Sequence, residues 1–201
     1  YLASSGVGNL CLVDFDTVSM SNLNRQVLYS EDDISMQKVE AAKKNLQSLN
    51  SEITISTVSK KIDSNFEGNI FKDFDFIVDC TDNFDTRCMI NKISLINKIP
   101  LISGAAIRFE GQVATFRNDI DGMPCYRCLY PNLPNVSSSC IDSGILGSVT
   151  GFVGTIVATE CIKLICDIGD NLESKLLLID LKHNEFKTIK LIKDKNCKFC
   201  G

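Results

Sequence analysis

The sequence predicts an α/β fold: a Rossmann-like, mixed and mostly parallel sheet with flanking helices, antiparallel C-terminal strands and a structural four-cysteine zinc site. Three observations carry that prediction. Strand-like and helix-like segments alternate from Asn9 to Ser103, the rhythm of a parallel sheet whose ligands bind beyond the carboxyl ends of its strands. Gly111–Phe116 reads as an antiparallel strand, as do Leu176–Leu181 and Phe186–Ile192, which are joined through Lys182-His183-Asn184-Glu185. The pairs Cys125-Tyr126-Arg127-Cys128 and Cys197-Lys198-Phe199-Cys200 supply four thiolates for one tetrahedral zinc, which would tie the end of the sequence to its middle. Such a metal is a staple, so catalysis is sought elsewhere.

The first strand is the apolar run Asn9–Val13, of the kind covered on both faces, ending in Asp14-Phe15-Asp16. From Met36 to Asn50, Val39, Ala42, Leu46 and Leu49 keep a helical period behind Ser35 as N-cap. Ile53–Val58 alternates like a strand, and Phe74–Cys80 reads as a mostly buried one. A helix over Phe84–Asn97, with Met89, Ile93 and Ile96 inward, leads through Pro100 into the strand Leu101-Ile102-Ser103. The segment between Cys128 and Cys140 has turn formers and no period, and is expected to be a loop.

With 201 residues, 44% hydrophobic and 23% charged, the chain can bury one core, and a single domain over 1–201 is expected. A net charge of -4 gives no broad basic surface, so nucleic acid is not an expected partner. Tyr1-Leu2-Ala3-Ser4-Ser5 lacks the features of a secretory signal, and the ten cysteines read as those of a reduced, metal-binding cytoplasmic protein. Ser143–Thr159 carries no charge but is closed by Glu160 and Lys163, and is expected to be a buried helix and not a membrane span. Its glycines Gly144, Gly147, Gly151 and Gly154 would form one smooth face, read as a tight packing seam or else a subunit interface.

Several polar residues can carry chemistry. Asp14, at the end of a buried strand, can accept hydrogen bonds from ribose hydroxyls or serve only as a turn residue. The glycine-rich turn that precedes such an acid in dinucleotide sites is absent, Gly6-Val7-Gly8 being too short a match. Ser21-Asn22-Leu23-Asn24-Arg25-Gln26 is free of acids and holds a guanidinium suited to phosphate. Lys38 falls in a helix's first turn, where the dipole disfavours a cation unless an anion shares the place. Asp82 follows a strand and can hold magnesium on a triphosphate or cap the next helix. Cys140, in a polar loop, can act as a nucleophile, and the sole histidine, His183, reads as a surface turn residue.

Asp14-Phe15-Asp16, Ser21 to Gln26, Lys38-Val39, Asp79-Cys80-Thr81-Asp82-Asn83, Ser103-Gly104-Ala105-Ala106, both cysteine pairs and Cys140 together resemble the ubiquitin-activating-like MoeB/ThiF/HesA family. Ser103 to Gln112 looks most like its MoeB-type members. The resemblance covers nearly the whole chain in order. It implies ATP-dependent adenylylation of the C-terminal glycine of a ubiquitin-like sulfur carrier ending in Gly-Gly, giving an acyl-adenylate and pyrophosphate, by a cytoplasmic homodimer. Carried over, Asp14 binds the ribose, Ser21, Asn22, Leu23, Asn24, Arg25 and Lys38 the phosphates, and Asp82 with Asn83 the magnesium-nucleotide; Cys140 matches a cysteine that is covalently loaded in some members and dispensable in others.

Family members begin with a helix, a strand and a Gly-x-Gly-Gly-x-Gly turn, and this sequence begins after them. Residues 1–201 alone are therefore expected to bind ATP weakly. Some relatives continue into a rhodanese domain; the sequence stops at Gly201, and none is expected. The alternatives are a thiamine-pathway adenylyltransferase, a nicotinamide-dependent oxidoreductase, which would need a second substrate domain, and a non-catalytic zinc scaffold.

Overall fold

The computed structural model describes residues 1–131 and 144–201, and its contacts cluster into two units, Tyr1–Lys61 and Ile62–Gly201. In the first, β1 (Asn9–Val13) and β2 (Thr54–Val58) pair in parallel, Asn9 opposite Thr54 and Val13 opposite Val58. Parallel strands need a crossover, supplied here by α1 (Lys38–Leu49). Ala3, Ile53 and Ile55 are buried, with Leu10, Leu12 and Leu46 packed on them. The sequence expectation of a strand covered on both faces is corrected: β1 is half-buried, and Leu49 of α1 stands 61% exposed.

The predicted N-cap is also corrected. Ser35 has φ 71 and lies before the helix, which begins at Lys38 with Gln37 in the cap position and no side-chain cap. The cause is competition for backbone groups. Ser35 N–H donates to the Val18 carbonyl, Val18 N–H donates to the Met36 carbonyl, and Thr17 bridges to Gln37. These residues are tied laterally to the segment after β1, so α-helical bonding starts only beyond them.

The second unit holds a five-stranded sheet in the order β3 (Ile77–Asp79), β4 (Leu101–Ile107), β5 (Glu110–Phe116), β6 (Lys175–Asp180), β7 (Glu185–Lys190). β3 and β4 run parallel, joined by α2 (Phe84–Asn97), and the remaining neighbours are antiparallel. The fold is therefore mixed α/β, with parallel pairing early and antiparallel pairing late. β3 is shorter than the expected Phe74–Cys80, because a 3-10 turn over Gly68–Asp73 captures Phe74 N–H on the Phe71 carbonyl.

α2 has the expected bounds but not quite the expected face. Ile90 and Ile93 are buried, Met89 is partly so, and Ile96 is 70% exposed. Asn91 and Ser94 take inward positions in its stead, since both find partners inside. The Asn91 carboxamide meets Tyr126 N–H and the Cys125 sulfur, and the Ser94 hydroxyl meets Ile99 O and the Asn118 amide. Sequence periodicity counts apolar residues and misses satisfied buried polar ones.

A short helix, α3 (Tyr126–Leu129), follows β5. The uncharged stretch forms α4 (Gly147–Cys166), the one described helix long and apolar enough to cross a membrane by length and composition. It packs on β4 and β5, and the close approach is made by the glycines of the sheet. A Cβ at Gly111 would lie 2.4 Å from Val153 Cγ2, and one at Gly104 2.6 Å from Val157 Cγ2. Around Gly151 and Gly154 nothing among the described residues lies within 4 Å of such an atom, and Gly144 precedes the helix, so these three glycines do not form the predicted packing seam. Because a helical valine is stiff at χ1, Gly111→Ala is expected to destabilise the unit by about 1–3 kcal/mol. A lowered denaturant midpoint at unchanged m-value is the observable.

Candidate functional site

The four paired cysteines converge. Cys125 immediately precedes α3, and Cys197 and Cys200 follow β7 in a terminal turn closed by Gly201 N–H on the Cys197 carbonyl at 2.8 Å. All four Sγ atoms lie within 4.8 Å of one another, with Cys125 to Cys197 at 3.8 Å and Cys128 to Cys200 at 3.4 Å. A disulfide would need about 2.05 Å. Thiolates around one zinc at about 2.3 Å stand about 3.8 Å apart on tetrahedral edges. The donor set therefore fits a tetrahedral metal ion. Burial, followed by contact with neighbouring thiols, pushes the Cys200 thiol well up, and burial raises Cys125; a divalent cation at the centre removes that penalty on ionisation. Asn91, fully buried, donates from Nδ2 to Cys125 Sγ at 3.6 Å and so orients one ligand.

In the first unit, Asp14 lies just past β1. Its N–H donates to the Val58 carbonyl at 3.2 Å, and its carboxylate accepts the Asp16 N–H at 2.9 Å. Lys38 is the first residue of α1, and its ammonium lies 3.0 Å from Asp16 and 4.0 Å from Asp14. The anion expected to share that place with a lysine is present within this chain, as the Asp16 and Asp14 carboxylates. Asp16 stands in the quoted Asp14-Phe15-Asp16 run, but the sequence gives it no role.

The polar hexapeptide forms a 3-10 turn over Met20–Asn22 and the residues after it. Asn22 is buried, and its Oδ1 accepts the Ser19 N–H at 3.1 Å. Ser21 Oγ lies 2.9 Å from Ser19 Oγ. Leu23 is half-buried and Asn24 exposed. Arg25 Nη1 donates to the Ser21 carbonyl at 2.9 Å and to Asn24 Oδ1 at 3.1 Å. The guanidinium is thus oriented by its own loop, while Gln26 Oε1 is buried with no partner among the described residues.

In the second unit, the turn after β3 carries Thr81, Asp82 and Asn83. Asn83 caps α2, its Oδ1 accepting Thr86 N–H at 2.9 Å. The capping alternative for Asp82 is thereby taken by its neighbour. Asp82 is exposed and carries no described ion pair, leaving its carboxylate able to hold a cation. Asp79, a member of the quoted Asp79-to-Asn83 run that the sequence gives no role, is 1% exposed: Oδ1 accepts both the N–H and the hydroxyl of Thr81, and Oδ2 has no partner among the described residues. Burial holds its carboxyl above the usual range. A raised folded pKa means that stability is full below the unfolded carboxylate value of about 4 and falls as pH rises toward the folded one. Asp79→Asn should therefore match the wild type in acid and gain melting temperature over it toward neutral pH, as a thermal scan against pH would show.

His183 is a surface turn residue as expected, its Nδ1 2.9 Å from Asp180 Oδ2. Cys140, and most of the expected loop around it, lie outside the described residues.

A parallel βαβ unit followed by a mixed-sheet unit bearing a four-cysteine cluster that can hold a metal ion defines the class as α/β. The chain belongs to the ThiF family, whose profile matches residues 1–200. The molybdopterin-synthase adenylyltransferase of Escherichia coli (strain K12) is 39% identical over 201 residues, covering 100% of this chain and 80% of that protein. The Haemophilus influenzae protein of the same name is 45% identical over 191 residues, covering 95% and 78%. The adenylyltransferase and sulfurtransferase MOCS3 of Caenorhabditis briggsae is 40% identical over 204 residues; it matches all of this chain, which spans 50% of its length. Among solved structures, Escherichia coli MccB with AMPCPP and MccA superposes with a TM-score of 0.85 at 25% identity, covering 100% of this chain and 61% of that one.

Proposed function

We propose that this chain catalyses ATP-dependent adenylylation of the C-terminal glycine of a ubiquitin-like sulfur carrier, in molybdopterin or related sulfur-transfer biosynthesis. The observation that carries the reading is identity of 39% over 201 residues to a molybdopterin-synthase adenylyltransferase. A SAMP-activating enzyme E1 of Haloferax volcanii, 38% identical over 203 residues, supports the same class of chemistry.

In the reaction, a carboxylate oxygen of the carrier's Gly-Gly tail attacks the α-phosphorus of ATP. The bond from that phosphorus to the bridging oxygen breaks, and pyrophosphate leaves with its electron pair. No proton need move at the reacting atoms, so the protein must align the two anions and offset charge on the leaving group. Asp14 is assigned the ribose. Ser21, Asn22, Leu23, Asn24, Arg25 and Lys38 are assigned the phosphates, and Asp82 with Asn83 the magnesium-nucleotide. Bound magnesium supplies charge neutralisation on the phosphate oxygens. Arg25 contributes a guanidinium already oriented by Ser21 and Asn24, and Lys38 an ammonium that Asp16 holds at 3.0 Å. Zinc is assigned to Cys125, Cys128, Cys197 and Cys200. A cytoplasmic homodimer, with no nucleic-acid or membrane partner, completes the reading.

The test is carrier-dependent ATP–pyrophosphate exchange on the full-length gene product, with molybdopterin, thiamine and tRNA-thiolation carriers side by side. Exchange with one of them supports the reading, and none with any, in zinc-loaded protein, overturns it. Cys140 would receive the acyl group only after adenylate forms. Cys140→Ala is therefore expected to leave pyrophosphate exchange within about twofold of wild type while abolishing any thiol-sensitive carrier adduct on a non-reducing gel.

A further inference from the structure

Arg87 lies on α2, and its guanidinium turns back over the start of that helix. Nε donates to the Thr81 carbonyl at 2.9 Å, and Nη2 donates to the same oxygen. Two donors of a rigid fork on one acceptor hold the residue immediately before Asp82 in place. Asp79 anchors the other side of Thr81, its Oδ1 accepting both the N–H and the hydroxyl of that residue.

Resting on the adenylylation reading, we infer that Arg87 is a positioning residue: it sets the turn carrying Asp82. Asp82 is exposed and carries no described ion pair of its own, so its seat depends on the backbone on either side, Asn83 through the helix cap and Thr81 through Arg87.

The test uses the full-length, zinc-loaded gene product with Arg87→Gln and Arg87→Lys. Amide hydrogen exchange over residues 81–86, zinc content, and the KM for ATP–magnesium and for carrier are read together. Arg87→Gln is expected to keep the full zinc content and to speed exchange of the Thr81 and Thr86 amides by about tenfold or more, with the middle of α2 unchanged. It should raise the KM for ATP–magnesium and leave that for carrier unaltered. Arg87→Lys should recover part of both effects. Unchanged turn amides in Arg87→Gln, or protection lost evenly across the unit, would overturn the inference. A complete lack of pyrophosphate exchange with every carrier would remove the adenylylation reading instead, and the amide data would still decide the role of Arg87 in the turn.

Discussion

Removing one metal ligand, as in Cys197→Ser, is expected to release zinc and to lower the stability of the second unit by several kcal/mol. Structural zinc sites contribute about 10–16 kcal/mol of apparent binding in small domains. A unit with its own core around Leu101, Phe116 and Tyr126 would survive part of that loss. The terminal turn has little else to hold it, since β7 is exposed along its whole length and only Leu191 and Cys197 beyond it are buried. Strong chelation should therefore free the end of the chain first and loosen the Cys125–Cys128 segment with it. Zinc release measured by a colorimetric chelator, together with the denaturant midpoint, checks this. A variant that lacks bound zinc yet keeps the wild-type midpoint would show that the cluster is no staple.

The second large effect is expected at Asp82. Asp82→Asn removes the exposed carboxylate assigned to magnesium while keeping its size and leaving the Asn83 cap intact. Pyrophosphate exchange should fall about 100-fold or more, since a group that neutralises charge on a departing phosphate acts mainly in the transition state. Stability should hardly change, because no described ion pair depends on this side chain. Excess magnesium should restore part of the activity, which sets the variant apart from one that is misfolded. Arg25→Ala and Lys38→Ala should lower the rate as well. Lys38→Ala should also destabilise the first unit, since it strips Asp16 of a partner at 3.0 Å.

Elements defined by apolar pattern and turn chemistry were legible in the sequence: β1, β2, α2 and the hairpin of β6 and β7 stand where expected. The cysteine spacing was legible too, because thiolates that share a metal must meet whatever the intervening fold. What could not be read was set by tertiary partners. Ser35 resembles an N-cap, but Val18 takes its backbone N–H. Ile96 keeps the helical period, but Asn91 and Ser94 fill the inward places because they bond inside. The glycines of α4 look like a packing face, yet the close approach belongs to Gly104 and Gly111 on the strands beneath. Among the candidate residues, Asp14, Arg25, Lys38 and Asp82 were readable as an ordered set through family resemblance. Arg87 was not, because a carbonyl partner leaves no trace in sequence pattern, and Asp79 was readable as a motif member but not as an acid with an orphaned carboxylate oxygen.

Isotope transfer probes the central chemistry most directly. A sulfur carrier with 18O in its C-terminal carboxylate would be incubated with the full-length enzyme and ATP, and the acyl-adenylate then consumed by a sulfur nucleophile. The account predicts one 18O atom in the AMP released and none in pyrophosphate, since the carboxylate oxygen that attacks the α-phosphorus stays on it. Label in inorganic phosphate, or ATP cleavage that leaves AMP unlabelled, would contradict it.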